Sequence, residues 1–153
     1  MKTPIFTGCG TAIVTPYTDD GIDFQKMGEL IDFQYKNGVS AIIVNGTTGE
    51  YSTQSIEEHE ELVDFAGKHT AGRMKVIAGV GGNNTMTALR LATSAKASGV
   101  DGILMVTPYY NKTSQLGLIK HFTYVADRVD IPMILYNVPS RTGIGCTVET
   151  LRE

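Results

Sequence analysis

The chain alternates short apolar runs with longer amphipathic stretches, and this rhythm constrains the fold more than any other feature. Apolar runs open near Ser40, Lys75, Asp101 and Met133. That spacing of about 30 residues is what one strand, one helix and their connections occupy. Gly99-Val-Asp-Gly-Ile-Leu-Met-Val106 and Ile131-Pro-Met-Ile-Leu-Tyr136 are apolar runs bounded by turn residues. Such runs suit strands buried on both faces, in a parallel sheet covered by helices. Lys36-Asn-Gly-Val-Ser-Ala and Ala97-Ser-Gly-Val-Asp-Gly echo one another, each reading as a helix end followed by a strand opening.

In chain order, Gly10–Pro16 reads as a first strand and Tyr17–Gly21 as a turn-rich connection. Phe24–Asn37 carries Met27, Leu30, Ile31 and Tyr35 at helical spacing and stops at Gly38, a helix-ending residue. Val39–Val44 is a second strand. Ser55 and Glu58 form a capping box before a helix with Ile56, Leu62, Val63 and Ala66 on one face. Glu57-Glu58 and Glu60-Glu61 read as its solvated side, and Gly72 closes it. Strands at Lys75–Gly79, Gly102–Val106 and Met133–Tyr136 follow. The helices between them span Thr85–Ser98, with Ala88, Leu91, Ala92 and Ala95 inward, and Ser114–Val129, with Leu118, Ile119, Phe122, Val125 and Ala126 inward. Thr147–Glu153 reads as the first turns of another helix.

Serial βαβ units with right-handed crossovers leave two architectures, a doubly wound sheet or a (β/α)8 barrel. A closed barrel needs roughly 250 residues, whereas this chain has 153 and ends inside a helix. The expectation is therefore α/β: the N-terminal part, about five strands, of a (β/α)8 barrel, as one truncated domain over residues 1–153. In such folds functional side chains stand at the carboxyl ends of the strands.

Composition narrows the partners. With 42% apolar and 19% charged residues the chain can bury a sizeable core. A net charge of −3 offers no footprint for nucleic acid or anionic membrane. No run approaches the roughly 18 apolar residues of a bilayer span, and the first residues contain no signal-like apolar segment. A soluble cytoplasmic protein is expected. Cys9 and Cys146 lie far apart, outside any Cys-x-x-Cys spacing, and read as buried reduced thiols. No metal site is expected, because no His/Asp/Glu spacing suits one. His59, His69 and His121 fall on helices or helix ends and read as helix-surface residues.

The strand exits carry the chemistry. Asn45-Gly-Thr-Thr-Gly-Glu50 sets two hydroxyls between glycines; this reads as a small-carboxylate site or as a plain glycine-rich turn. Gly79-Val-Gly-Gly-Asn-Asn84 suggests a dinucleotide loop but lacks its third glycine. The other reading is a tight turn with Asn84 or Thr85 capping the next helix. Tyr109-Tyr110 suits packing or an interface. Tyr136 ends an apolar strand, where its hydroxyl needs a partner. Arg141, in Pro-Ser-Arg-Thr-Gly143, is either a carboxylate clamp or half of a surface salt bridge.

Gly46-Thr-Thr-Gly-Glu50, Thr107-Pro-Tyr-Tyr-Asn111 and Tyr136-Asn-Val-Pro-Ser-Arg-Thr-Gly143, in that order, closely resemble the dihydrodipicolinate synthase family of pyruvate-dependent class I aldolases. The related N-acetylneuraminate lyases share a Gly-x-Thr-Gly-Glu loop; the double threonine and the Ser-Arg-Thr favour the synthases. The resemblance implies a lyase of lysine and diaminopimelate biosynthesis, condensing pyruvate with L-aspartate semialdehyde through a Schiff base, without a cofactor. It implies Tyr136 as proton donor and acceptor, with Thr47 and Tyr110 as relay partners and Tyr110 supplied across a dimer interface of a homotetramer. Thr48 is implied to hold the pyruvate carboxylate and Arg141 to receive the second substrate. Ser52, His59, Asn83 and Tyr109 match inhibitor contacts, while Thr87 stands where lysine-inhibited members carry a carboxylate.

The Schiff-base lysine is implied to lie on a sixth strand beyond Glu153, so the chain alone is expected to be inactive. The alternative is a non-catalytic half-barrel that acts by association through its open sheet edges.

Overall fold

The computed structural model describes residues 3–153; the leader residues Met1 and Lys2 lie outside it. Five strands, β1 (Gly10–Ala12), β4 (Ala41–Val44), β5 (Lys75–Gly79), β6 (Gly102–Val106) and β7 (Met133–Tyr136), form one parallel sheet in that order. A short antiparallel hairpin, β2 (Tyr17–Thr18) and β3 (Gly21–Ile22), follows β1. The helices are α1 (Phe24–Lys36), α2 (Ile56–Thr70), α3 (Thr85–Ala97), α4 (Gln115–Ala126), α5 (Pro139–Thr142) and α6 (Val148–Arg152).

The strand order bears out the barrel reading over a doubly wound sheet. A doubly wound sheet reverses its order at a switch point and carries helices on both faces. Here every new strand adds beside the last, and α1 packs on α2, α2 on α3 and α3 on α4. One-way winding with right-handed crossovers puts all helices on one face, which is the geometry of a barrel wall.

The core lies between that helical layer and the sheet. Ile42, Val44, Val76, Ala78, Ile103 and Met105 face Met27, Ile31, Leu62, Val63, Leu118 and Phe122. Each large side chain fully buried there contributes roughly 1.5–3 kcal/mol. Register sets Leu104 beside Ile134 and Val106 beside Tyr136 on the opposite, concave face. Ile5 and Phe6 pack against Gly102 and Gly10, the first residues of their strands, so these two side chains lie under the amino end of the sheet. The carboxyl ends stay open.

Caps follow the sequence closely. Asp23 accepts from the Lys26 N–H at the start of α1. Ser55 and Glu58 exchange both bonds of a capping box before α2. The Asn84 side chain accepts from the Met86 and Thr87 N–H groups ahead of α3, so asparagine, not Thr85, is the cap.

Several expectations are corrected. Tyr17–Ile22 pairs as a hairpin, because Gly21 adopts φ 122° and the Thr18 hydroxyl donates to its carbonyl. Ala126 is exposed: the buried stripe of α4 runs Leu118, Phe122 and Val125 and continues at Val129, turning Ala126 outward. Cys9 is exposed and Cys146 half-buried, so neither is a core thiol. His59 and His121 are buried rather than on helix surfaces. His69 is partly exposed and pairs with Asp32, which also binds Arg73. The acidic side of α2 is not simply solvated, since Arg90 of α3 bridges Glu57 and Glu60.

Candidate active site

At the carboxyl rim a cavity of about 370 Å³ is lined by residues from four consecutive strand exits. From the loop after β4 come Asn45, Gly46, Thr47, Tyr51 and Ser52. The end of β5 gives Gly79 and the loop beyond it Gly81, and the loop after β6 gives Tyr109 and Tyr110. Tyr136 from the end of β7 and Val138, Arg141 and Thr142 beyond it complete the wall, with Leu104 and Val106 of β6. The lining is mostly apolar with a few polar tips, the usual make-up of a small-molecule site.

Of the five residues expected to converge, Thr47, Tyr110, Tyr136 and Arg141 share this cavity. Thr48 lies beside it, exposed in the 3-10 turn Thr47–Gly49, and does not line the wall. The first N–H groups of such a turn have no carbonyl partner within it, and those of Thr47 and Thr48 find none elsewhere in the described backbone. They can serve an anion as well as a hydroxyl can.

The Arg141 guanidinium takes part in no ion pair among the described residues, which removes the surface-salt-bridge reading. The Tyr136 hydroxyl likewise meets no hydrogen-bond partner among them and opens on the cavity. Tyr110 is 91% exposed at the rim and is held at φ 68°, a left-handed conformation uncommon outside glycine and asparagine. No lysine lines the cavity among the described residues. Lys75 stands at the opposite end of its strand, paired with Asp101.

The glycines at the end of β5 and just beyond it are explained by crowding rather than by a dinucleotide. A Cβ on Gly79 would lie 2.0 Å from the Asn45 carbonyl oxygen, and one on Gly81 2.2 Å from the Val106 nitrogen. The three strand exits touch backbone to backbone.

Ser52, His59, Asn83 and Tyr109 all line a second cavity of about 170 Å³, together with Thr87. It shares Tyr51, Ser52, Gly81 and Tyr109 with the first. His59 Nε2–H donates to the Gly79 carbonyl at 2.6 Å. Burial holds its imidazole below the usual range, and that hydrogen bond opposes the shift. Among the described residues no group of His, Cys, Asp or Glu is arranged to hold a metal ion.

Sequence reasoning missed Tyr51, Asn45 and Thr142. Tyr51 forms a wall of both cavities, and its phenol is pushed up by burial and then by Tyr109. Asn45 is buried at φ 57° and donates its amide to the His59 carbonyl. The signal for Asn45 was available, since asparagine before glycine at a strand exit tolerates the left-handed region. For Tyr51 and Thr142 no local pattern marked the position.

A singly wound parallel sheet that gathers phenols, hydroxyls and a free guanidinium at its strand exits defines an enzyme domain of the (β/α)8-barrel class. Residues 5–153 match the Dihydrodipicolinate synthetase family, and the chain belongs to it. It is 51% identical over 150 residues to the 4-hydroxy-tetrahydrodipicolinate synthase of Thermoanaerobacter sp. (strain X514), covering 98% of this chain and 50% of that protein.

Among solved structures it superposes on dihydrodipicolinate synthase from Aquifex aeolicus with TM-score 0.94 and 51% identity, covering 95% of this chain and 50% of that one. The chloride-inhibited Acinetobacter baumannii dihydrodipicolinate synthase complexed with pyruvate gives TM-score 0.91 and 42% identity, with coverage of 94% and 50%. The chain spans about half the length of the relatives it matches, and its sheet corresponds to the N-terminal half of their barrel.

Proposed function

We propose that this chain carries the proton-relay and substrate-holding part of a lyase that condenses pyruvate with L-aspartate semialdehyde to 4-hydroxy-tetrahydrodipicolinate, in lysine and diaminopimelate biosynthesis. The observation that carries this reading is the shared cavity of Thr47, Tyr110, Tyr136 and Arg141. A lysine amine attacks the pyruvate ketone and water leaves, forming a Schiff base; loss of a methyl proton gives the enamine, whose carbon attacks the aldehyde. Proton transfers at these steps need a group that both gives and takes a proton. The Tyr136 hydroxyl takes that role, and Thr47 and Tyr110 connect it to solvent. The Thr48 turn holds the pyruvate carboxylate, and Arg141 receives the carboxylate of the aldehyde.

The cavity wall contains no lysine among the described residues, so the amine comes from outside this stretch. Borohydride added with pyruvate is expected to leave no stable adduct on residues 3–153. The exposed Tyr110 supports a homo-oligomer, a homotetramer in our reading, in which a second copy covers that ring. Among the described residues no helix is long and apolar enough to cross a membrane, and the two free cysteines suit a reducing cytoplasm.

The test is Tyr136→Phe in the intact protein. It removes the hydroxyl and keeps the ring, so kcat is expected to fall by about 10²–10⁴ while pyruvate binding stays near wild type. A variant with wild-type kcat overturns the assignment.

A further inference from the structure

No ion pair among the described residues holds the Arg141 guanidinium, so its placement depends on the backbone that carries it. That backbone is α5, a single turn closed by Arg141 and Thr142 N–H groups on the Val138 carbonyl. It continues into residues 143–147, which form no strand or helix. Side chains hold this loop instead. The Thr142 hydroxyl donates to the Ile144 carbonyl at 2.6 Å, and Asn137 Oδ1 accepts from the Cys146 N–H at 3.1 Å. Both are local.

Gln115 differs, because it reaches in from another element. It is the first residue of α4, whose Leu118, Phe122 and Val125 are anchored in the core. Its Nε2 donates to the Gly145 carbonyl at 2.9 Å. Its Oε1 accepts from the Thr147 N–H at 3.1 Å and from the Thr150 hydroxyl at 2.6 Å. One amide thus ties three points of the loop and of α6 to a fixed helix. The chemistry requires an amide: a carboxylate can accept twice but cannot donate to Gly145, and an apolar isostere does neither.

We infer that Gln115 is a positioning residue for Arg141: its amide fixes the loop that carries the guanidinium at the cavity mouth, and so sets affinity for the anionic group of the second substrate. This rests on the role proposed for Arg141. A bidentate cation is sensitive to placement, and displacement by about 1 Å is enough to cost a large factor.

The experiment is steady-state kinetics of the intact protein carrying Gln115→Met, Gln115→Glu, Arg141→Ala and the corresponding double variants. Gln115→Met is expected to raise KM for the aldehyde about tenfold while kcat and KM for pyruvate stay within about twofold. Gln115→Glu keeps two of three partners and falls between. In the Arg141→Ala background, Gln115→Met adds nothing further.

The inference is overturned if the KM effect persists at full size without Arg141, or if kcat and both KM values change together. Should Gln115→Met not fold, Gln115→Glu with and without Arg141 makes the same comparison. If Arg141→Ala leaves the aldehyde KM unchanged, the assignment of Arg141 falls and this inference with it. If Arg141→Ala raises that KM and Gln115 is uncoupled, this inference alone falls.

Discussion

Replacing Gly79, the last residue of β5, and the glycines just beyond it one at a time by alanine tests how the site is built. An alanine Cβ at position 79 would sit 2.0 Å from the Asn45 carbonyl oxygen, where ordinary contact begins at 3.4 Å. The neighbour is backbone, so no rotamer change relieves the overlap. The exits of β4 and β5 would have to part by about 1.4 Å, next to the pairing of Val44 with Ala78. Position 81 is nearly as tight, at 2.2 Å from the Val106 nitrogen.

Overpacking of this kind costs about 1–3 kcal/mol, and each strained backbone hydrogen bond adds about 1 kcal/mol. Gly79→Ala and Gly81→Ala are each expected to destabilise by about 3 kcal/mol, lowering Tm by about 6–12 °C for a domain of this size. Gly82 is the internal control: nothing lies within 4 Å of its Cβ position and its φ is not positive. Gly82→Ala should be neutral or stabilising by up to about 1 kcal/mol, through the unfolded chain. The assay is thermal and urea unfolding followed by circular dichroism. Equal losses at 81 and 82 would refute close strand-exit packing as the reason for the run.

Acidification should weaken the fold through its buried histidines. Burial holds His59 and His121 below their ordinary value of 6.5, so below about pH 6.5 the unfolded chain binds protons that the folded chain refuses, and stability falls as pH drops. His59→Gln should make that pH slope shallower below about pH 6.5; an unchanged slope in urea unfolding would show that His59 charges freely in the fold. The second cavity contains Ser52, His59, Asn83, Thr87 and Tyr109 but no carboxylate among its lining residues. An ammonium group entering it would lose water without gaining a counter-charge, so calorimetry of the intact protein with lysine should show no binding at about millimolar concentration.

Much of the fold was legible because its signals are local. Lys75–Gly79, Gly102–Val106 and Met133–Tyr136 coincide with β5, β6 and β7, since apolar runs with turn residues at both ends have few other solutions in a layered α/β chain. The one-way winding, which depends on which strands pair, was anticipated from the serial βαβ rhythm and the family-like motifs rather than from a local signal. Burial of His59 and His121 was missed because it depends on distant partners. A histidine on an amphipathic helix reads as polar, yet His59 satisfies its ring on Gly79, a strand residue 20 positions away. His121 meets Thr85 across 36 positions. The site divides the same way: the motifs marked Thr47, Tyr110, Tyr136 and Arg141, but Tyr51 joins the two cavities only through tertiary proximity to Tyr109.

The two rims of the sheet use the left-handed region differently, and this sets function apart from scaffold. Where helices return to strands, at the amino rim, φ values of 72–76° belong to Gly38, Gly72 and Gly99, with Ala71 beside Gly72 as the exception. Glycine takes that conformation at no steric cost, the economical choice where the side chain has no task. At the carboxyl rim Gly143 adopts it after α5, but so do four residues that are not glycine, Asn45, Glu50, Tyr110 and Lys112. Such placements cost of order 1 kcal/mol each for residues other than glycine and persist only where the surroundings impose them. All four stand in the loops after β4 and β6, and Asn45 and Tyr110 line the larger cavity. A chain shaped for stability alone would have glycine at Tyr110. Keeping an exposed aromatic there at that cost fits a ring needed at the mouth, and the core beneath, closed at its amino end by Ile5 and Phe6, supplies the rigidity that holds it.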